Sequence, residues 1–552
     1  MSHSEENNIE PAATHAIFNQ PPALENYNLF NSDKPLQNWL DRYGQGVPLA
    51  GLKDHGQICG SAEGIQWGFD ANEQRPRFES HDRFGHRIDH IHFHPAYHSL
   101  MSLALKRGIP SMPWRDDGAS HVVRAAYNYM QNQLEPGHAC PLTMTFAAVP
   151  TLKMTPEIAD IWLPKVLAQD YQPANIPYFE KTAVTIGMGM TEKQGGSDVR
   201  ANTSIAKPLG SPGPGQLYSI TGHKWFLSAP MCDAFLMLAK TEAGLSCFLV
   251  PRWREDGRKN PLLIQRLKHK MGNVANASSE VEMRDAHGWL ISEESRGVAA
   301  IIEMVSLTRF DCMIGSTAGQ RQAVLQAVHH ARHRQAFGAA LIERPLMQNV
   351  LADLQLEVEG SLAMTMRMAA ALDKSNEGDE HERQLLRLGT AVGKYWICKR
   401  TPGHAYEAME CIGGNGVIEN SVMPRLYREA PVNAIWEGSG NIQALDVLRV
   451  MQKSPLAIEA WLAEISTCQG DLPELDASLH ALKKVLSNQA DMEYRARDVL
   501  NRLALCFQLS VLLKAGDPCV AEAFGRSRLA APAPVYGSLP TGLDVEHILS
   551  RV

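Results

Sequence analysis

The chain has 552 residues, a formal net charge of −7, 44% hydrophobic and 20% charged residues. That length exceeds one hydrophobic core and predicts about three or four domains of an ordinary globular protein, while the mild acidity gives no global argument for nucleic acid or an anionic membrane. Ten cysteines without a CxxC pair read as reduced, buried thiols, and with no signal-peptide patterning or membrane-length apolar run a cytoplasmic location is expected.

Residues 1 to about 30 are polar and proline-dotted and predict an irregular lead-in. From Pro35 to about Leu167 the period is mainly helical, with breaks at 110–113 and 135–137. Short strand-like runs follow at 183–190, 217–226, 234–239, 245–250 and 279–283, separated by glycine and proline turns. Helical period returns from Gly297. Pro345 opens a stripe of Met347, Val350, Leu351, Leu354, Val358 and Leu362. A further helix is expected from about Glu382 towards Cys411, broken near Pro402. A last unit begins around Ser454, its strongest member spanning 491–514 and stopping at Gly516. The fold class is therefore mainly α with a central β domain. Its divisions are an N-terminal helical domain (1–182), the β domain (183–292), a helical bundle (293–447) and a helical extension (448–552).

Several segments carry chemistry. Ile435-Trp436-Glu437-Gly438-Ser439-Gly440-Asn441 places one carboxylate in a glycine-rich turn, where Gly438 and Gly440 permit φ > 0 and close approach to a planar ligand. Shielded beside an indole, Glu437 would have its pKa raised toward a general base's range; the alternative is a helix-capping acid. Met190-Thr191 with Gly196-Ser197-Asp198 follows a strand and offers N–H groups and hydroxyls to a cofactor ring edge or a pyrophosphate. Gly187-x-Gly189 lacks the third glycine and following helix of a dinucleotide fingerprint. Arg334, Phe337-Gly338 and Gln348 combine a phosphate-capable guanidinium, an aromatic ring and an amide. Gly413-Gly414-Asn415-Gly416 allows close backbone approach or a helix C-cap and turn. His81, His86, His90, His92, His94 and His98 tempt a metal reading, but without a known ligand spacing packing and hydrogen bonding are expected, and no metal. Nucleophile-elbow, Walker A and HExxH motifs are absent from the sequence.

Taken together these segments resemble the acyl-CoA dehydrogenase family, in order and spacing across roughly residues 150–450. The wording Met-Thr-Glu-Lys-Gln-Gly-Gly-Ser-Asp, Trp-Glu-Gly-Ser-Gly-Asn, Leu307-Thr308-Arg309-Phe310-Asp311 and the extra helical unit bring it closest to the AidB-type alkylation-response flavoproteins. The resemblance implies an acyl-CoA dehydrogenase-like fold holding FAD. Its cofactor contacts would be Met190, Thr191, Gly196, Ser197, Phe226 (where the family usually has Trp), Ser228, Gly414, Trp436, Gly438, Ser439 and Asn441. Arg334 and Gln348 would reach FAD across a dimer interface, and a homotetramer is the expected assembly. Glu437 would take the α-proton of an acyl thioester while the β-hydrogen leaves as hydride to the flavin, with backbone N–H groups on the developing enolate oxygen. Thr308 stands where some members carry their catalytic Glu, and Arg309 matches an arginine near the CoA phosphates.

The AidB-type resemblance also implies double-stranded DNA as a partner, through the extension. Composition gives it no support overall, with 11 Lys/Arg against 12 Asp/Glu from Arg449 onward. Within 480–528 the count is eight to five, including Lys483, Lys484, Arg495, Arg497, Arg502, Arg526 and Arg528. The alternative is a dedicated acyl-CoA dehydrogenase of fatty or branched-chain acid catabolism without a DNA role.

Overall fold

The computed structural model describes residues 14–44 and 46–552, so residues 1–13 of the expected lead-in lie outside the described residues. The N-terminal region is built from helices Lys34–Tyr43, Leu49–Cys59, Ala62–Glu73, Pro95–Lys106, His121–Leu134, Ala139–Leu152 and Pro156–Val166. Their starts follow local chemistry: Asp33, Ser61 and Ser120 each accept a first-turn N–H. Between them lies a hairpin the helical reading missed, β1 (Arg77–His81) and β2 (Arg87–His92). Only Ile91 among its residues is buried, so the alternating apolar signal of a half-buried strand is missing. The break at Glu135 is real, the carboxylate accepting the N–H groups of Gly137 and His138, both at 2.8 Å.

Strands β3 (Ile186–Gly189), β4 (Ile205–Pro208), β5 (Leu217–Ser228), β6 (Ala234–Lys240), β7 (Leu245–Pro251), β8 (Leu262–Leu267) and β9 (Ser278–Ile291) form the β domain. Their order is β3-β6-β4-β5-β9-β7; β7 pairs back onto β6, and β8 flanks β9. All five expected runs are strands. The unexpected β4 and β8 each carry exposed positions that hide their periodicity, and β9 runs on to Ile291 through the polar stretch at Arg284 and Asp285.

Three long helices, Gly297–His333, Pro345–Asn376 and Glu380–Ile412, make the bundle. Pro345 sits in the first turn of its helix, with Leu351, Leu354, Val358 and Leu362 fully buried below it. The break expected near Pro402 does not occur: helix Glu380–Ile412 runs through it. An interior proline costs about 3 kcal/mol, yet Val392, Ile397, Cys398, Ala405 and Ala408 on both sides of it are buried, and that packing holds the helix.

The extension comprises helices Pro455–Ser466, Pro473–Ser487, Ala496–Ala515, Pro518–Phe524 and Val545–Leu549. The strongest begins at Ala496, five residues after the expected start, and ends at Gly516 as expected. The unit is no loose appendage. Trp461 stacks on Phe507 at 3.8 Å, within one apolar cluster shared with the bundle and N-terminal helices. The buried carboxylates of Asp353, Glu357 and Glu359 pair with Arg528 and Arg551. The β domain has its own cluster. Among the described residues no helix is long and apolar enough to cross a membrane.

Candidate active site

N-terminal helices, β domain and bundle meet around a cavity of about 960 Å³ with Glu437 in its wall. The turn carrying Glu437 joins helix Val432–Ile435 to helix Gly440–Lys453. Glu437 itself has φ 57° and Gly438 φ 98°, a conformation a non-glycine residue holds only when its surroundings enforce it. A Cβ on Gly438 would lie 2.7 Å from Gln443 Nε2. Gly440 differs from its expected role: it begins the helix without positive φ.

Three side chains enforce the turn. Buried Lys394 donates to the carbonyls of Trp436 (2.8 Å) and Gly438. Gln443 donates to those of Glu437 (3.1 Å) and Gly438 (2.9 Å). Arg309 donates to the Glu437 carbonyl at 3.0 Å and pairs with Asp446 at 2.7 Å. Arg309, expected near CoA phosphates, lines the cavity and is engaged here with the turn. Sequence reasoning missed Lys394 and Gln443, which have no motif of their own and act on backbone.

The Glu437 side chain caps no helix. Its carboxylate accepts from Thr308 Oγ1 at 2.8 Å, and burial raises its pKa, a rise moderated by that bond and by Lys394 and Arg309. What exposure the residue has is toward the cavity. Thr308 Oγ1 also lies 3.0 Å from the Val305 carbonyl. It can donate to an ionised Glu437, or accept from a protonated one while donating to Val305, so it suits both states of a base.

Across the cavity the β domain presents Met190, Thr191, Gly196, Ser197, Phe226 and Ser228; Trp436, Gly438 and Ser439 line it beside Glu437. The Thr191 loop is anchored from behind by buried Glu192, which pairs with Lys224 at 2.9 Å and accepts the Thr203 N–H at 2.6 Å. Those cationic and N–H partners hold its carboxyl well below the usual range. Four predicted contacts lie elsewhere. Gly413 is the helix C-cap at φ 71° and Gly414 follows in an exposed turn, as in the capping reading. Asn441 accepts from Arg497 at 2.9 Å. Arg334 donates to the Asn19 carbonyl at 2.7 Å, and neither it nor Gln348 lines the cavity.

Two further titratable groups in the wall went unassigned in the sequence. Burial and the neighbouring Glu135 carboxylate push Glu429 up to about 7, against the N–H of Asn273 at 2.6 Å. Burial lowers Lys270 to about 8. Their shifts come from burial and from partners distant in sequence, Glu135 for Glu429 and Cys140, Glu429 and Glu135 for Lys270, which no local motif encodes.

The histidines make local bonds: His86 to Asp82 (3.0 Å), His92 to Glu79 (2.6 Å), His98 to the Tyr171 hydroxyl (2.8 Å), and His94 caps its helix. Of the extension's cations, Lys483 and Lys484 are exposed. Arg495 donates to the carbonyls of Asn488 and Ala490, Arg502 pairs with Asp498, Arg526 donates to the carbonyls of Thr541 and Gly542, and Arg528, half-buried, pairs with the buried Asp353 and Glu357. Arg528 is thus structural, contrary to its place in the basic count.

The cavity suits a flavin. It is at the upper end of ligand-pocket size, with hydroxyls from Thr191, Ser197 and Ser228 on one wall and a shielded carboxyl on the other. Helical domain, β domain and bundle closing on such a site define an oxidoreductase of flavoprotein type. The N-terminal domain of adaptive response protein AidB matches residues 19–173, the acyl-CoA dehydrogenase middle domain 187–286, and the acyl-CoA dehydrogenase C-terminal domain 295–452. The putative acyl-CoA dehydrogenase AidB of Escherichia coli is 42% identical over 93% of this chain and 94% of that relative. The chain belongs to the acyl-CoA dehydrogenase family, in its AidB branch, and is an FAD-dependent oxidoreductase. The fold agrees. The apo form of Bd2924 superposes with TM-score 0.83 at 28% identity, over 90% of this chain and 99% of that one. Caenorhabditis elegans ACDH-11 in complex with C11-CoA gives 0.82 at 26%, over 95% and 94%.

Proposed function

We propose that the protein dehydrogenates an acyl-CoA or related acyl thioester, with Glu437 as the base. The observation that carries this is the shielded Glu437 carboxyl, hydrogen-bonded to Thr308 and held at the cavity wall by Lys394, Gln443 and Arg309. FAD, held by Thr191, Ser197, Ser228, Phe226 and Trp436, supplies the hydride acceptor when bound. Glu437 takes the substrate's α-proton, and its raised pKa strengthens it as a base once ionised. The low-polarity walls exclude water. The solved relative in complex with C11-CoA supports an acyl-CoA as the substrate class. The test is anaerobic bleaching of the bound flavin by a panel of acyl-CoAs; bleaching is expected with wild type and lost in Glu437→Gln. A colourless protein that takes up no FAD would sink the reading.

The AidB relationship supports a second role: cytoplasmic binding of duplex DNA in the response to alkylation, through the extension at 448–552. Exposed Lys483 and Lys484 are its best-placed cations. Assembly belongs to the same reading. Phe337 is 97% and Leu346 84% exposed on the segment holding Arg334 and Gln348, which supports a neighbouring subunit covering them, with its FAD reached by those two residues, in a homotetramer. Sedimentation of the FAD-loaded protein tests it.

A further inference from the structure

Along the β-domain wall a short hydrogen-bonded chain leads to Ser228 from Ser278 and Lys270, which the proposed reaction does not use. Lys270 Nζ donates to Ser278 Oγ at 2.9 Å and to the Asn276 carbonyl at 2.8 Å. Turning the Asn273 amide brings its oxygen to 2.9 Å from Nζ as a third acceptor, so all three ammonium protons have partners. Ser278 Oγ lies 3.2 Å from Ser228 Oγ. Ser228, Ser278 and Lys270 all line the cavity.

The direction of this chain follows from donor chemistry. An ammonium group donates and cannot accept, whereas a hydroxyl has one proton and two lone pairs. Ser278 must therefore accept from Lys270, which leaves its own proton for Ser228. Ser228 then accepts from Ser278, and its proton is left to point toward the cavity, where the Cys140 thiol is its neighbour. We propose that Lys270 is a positioning residue for the cofactor: through Ser278 it fixes the Ser228 hydroxyl as a hydrogen-bond donor to bound FAD. The inference rests on the flavin reading of the cavity.

The charge on Lys270 is what polarises the chain. Burial lowers its pKa to about 8, opposed by Cys140, Glu429 and Glu135, the groups that face it from helix Ala139–Leu152, helix Met423–Glu429 and the end of helix His121–Leu134. Cys140, held at about 11, and Glu135, held at about 2, keep their protonation states through the neutral range. Glu429, near 7, is the one neighbour titrating close to Lys270. As pH rises past about 8 Lys270 loses its proton, gains a lone pair, and no longer dictates the direction.

The test measures FAD affinity on apoprotein reconstituted with FAD, by flavin fluorescence. Ser228→Ala is expected to weaken binding about tenfold, the value of one oriented hydrogen bond. Ser278→Ala, which cuts the chain while leaving Lys270 in place, should weaken it comparably. The double variant should be no worse than the weaker-binding single one, and Ser278→Thr, which keeps the hydroxyl, should bind as wild type. Wild-type affinity should decline between pH 7 and 9, and that of Ser278→Ala should not. Lys270→Met, if it folds, should match Ser278→Ala. Normal affinity in Ser278→Ala beside a loss in Ser228→Ala, or fully additive losses, would overturn the proposal with the flavin reading intact. Failure of wild type to take up FAD would overturn the reading itself.

Discussion

At the scale of single residues, the pair Glu437 and Thr308 sets the pH behaviour of the site. Burial raises the Glu437 pKa and the Thr308 hydrogen bond lowers it. Only the ionised form takes a proton, so flavin reduction by an acyl thioester should fall as pH drops through a pKa above the ordinary glutamate value. Thr308→Val removes the opposing bond and should move that acid limb upward by about one pH unit, measured by stopped-flow reduction against pH. Glu429 gives a stability effect of defined sign. Its folded pKa near 7 exceeds the unfolded 4.5, so it stabilises the fold least when ionised: its contribution is lost as pH rises from about 4.5 to 7. Glu429→Gln should therefore be stabilising relative to wild type at pH 8 by on the order of 1 kcal/mol and not at pH 4.5, read by denaturant titration at both values. The tight turn carrying Glu437 was legible in Trp436-Glu437-Gly438 because such turns announce themselves by glycine. Lys270 and Lys394 were not, since a buried lysine acting on carbonyls looks in sequence like any other lysine.

At the scale of elements, helix Glu380–Ile412 works as the clamp on the active-site turn through Lys394. Replacing Lys394 with Met leaves the carbonyls of Trp436 and Gly438 without their buried donor. The cost should be about 2–4 kcal/mol, seen as a lower thermal midpoint. Flavin bleaching should fall further than stability does, because Glu437 at φ 57° relaxes once unclamped. Intact bleaching in a folded Lys394→Met would show that Gln443 and Arg309 suffice. The same helix shows what element-level reading lacks. Pro402 signals a break locally, but burial on both sides overrides it, and that packing is supplied by segments far away in sequence. The long apolar stripes behind Pro345 and in β6 and β7 were legible because their periods are uninterrupted. The hairpin β1–β2 was hidden by its polar, half-exposed residues.

At the scale of the whole molecule, the question is how a protein of net charge −7 would hold a polyanion. Of the seven extension cations the sequence singled out, five are engaged: Arg495 with the carbonyls of Asn488 and Ala490, Arg497 with Asn441, Arg502 with Asp498, Arg526 with the carbonyls of Thr541 and Gly542, and Arg528 with Asp353 and Glu357. Lys483 and Lys484 stand exposed side by side on helix Pro473–Ser487. DNA affinity resting on this face should therefore depend on those two lysines. Each phosphate neutralised contributes about −0.9 to the slope of log affinity against log salt. Lys483→Glu combined with Lys484→Glu should make the slope shallower by about 2, and weaken binding at low salt, with bound flavin and acyl-CoA bleaching unchanged. Because the extension shares its apolar cluster with the bundle, unfolding it to remove DNA binding would also disturb the clamp on Glu437, so surface charge reversal is the cleaner separation. An unchanged slope would move any DNA site off this helix. Lost bleaching would mean instead that the two functions are coupled through that shared core.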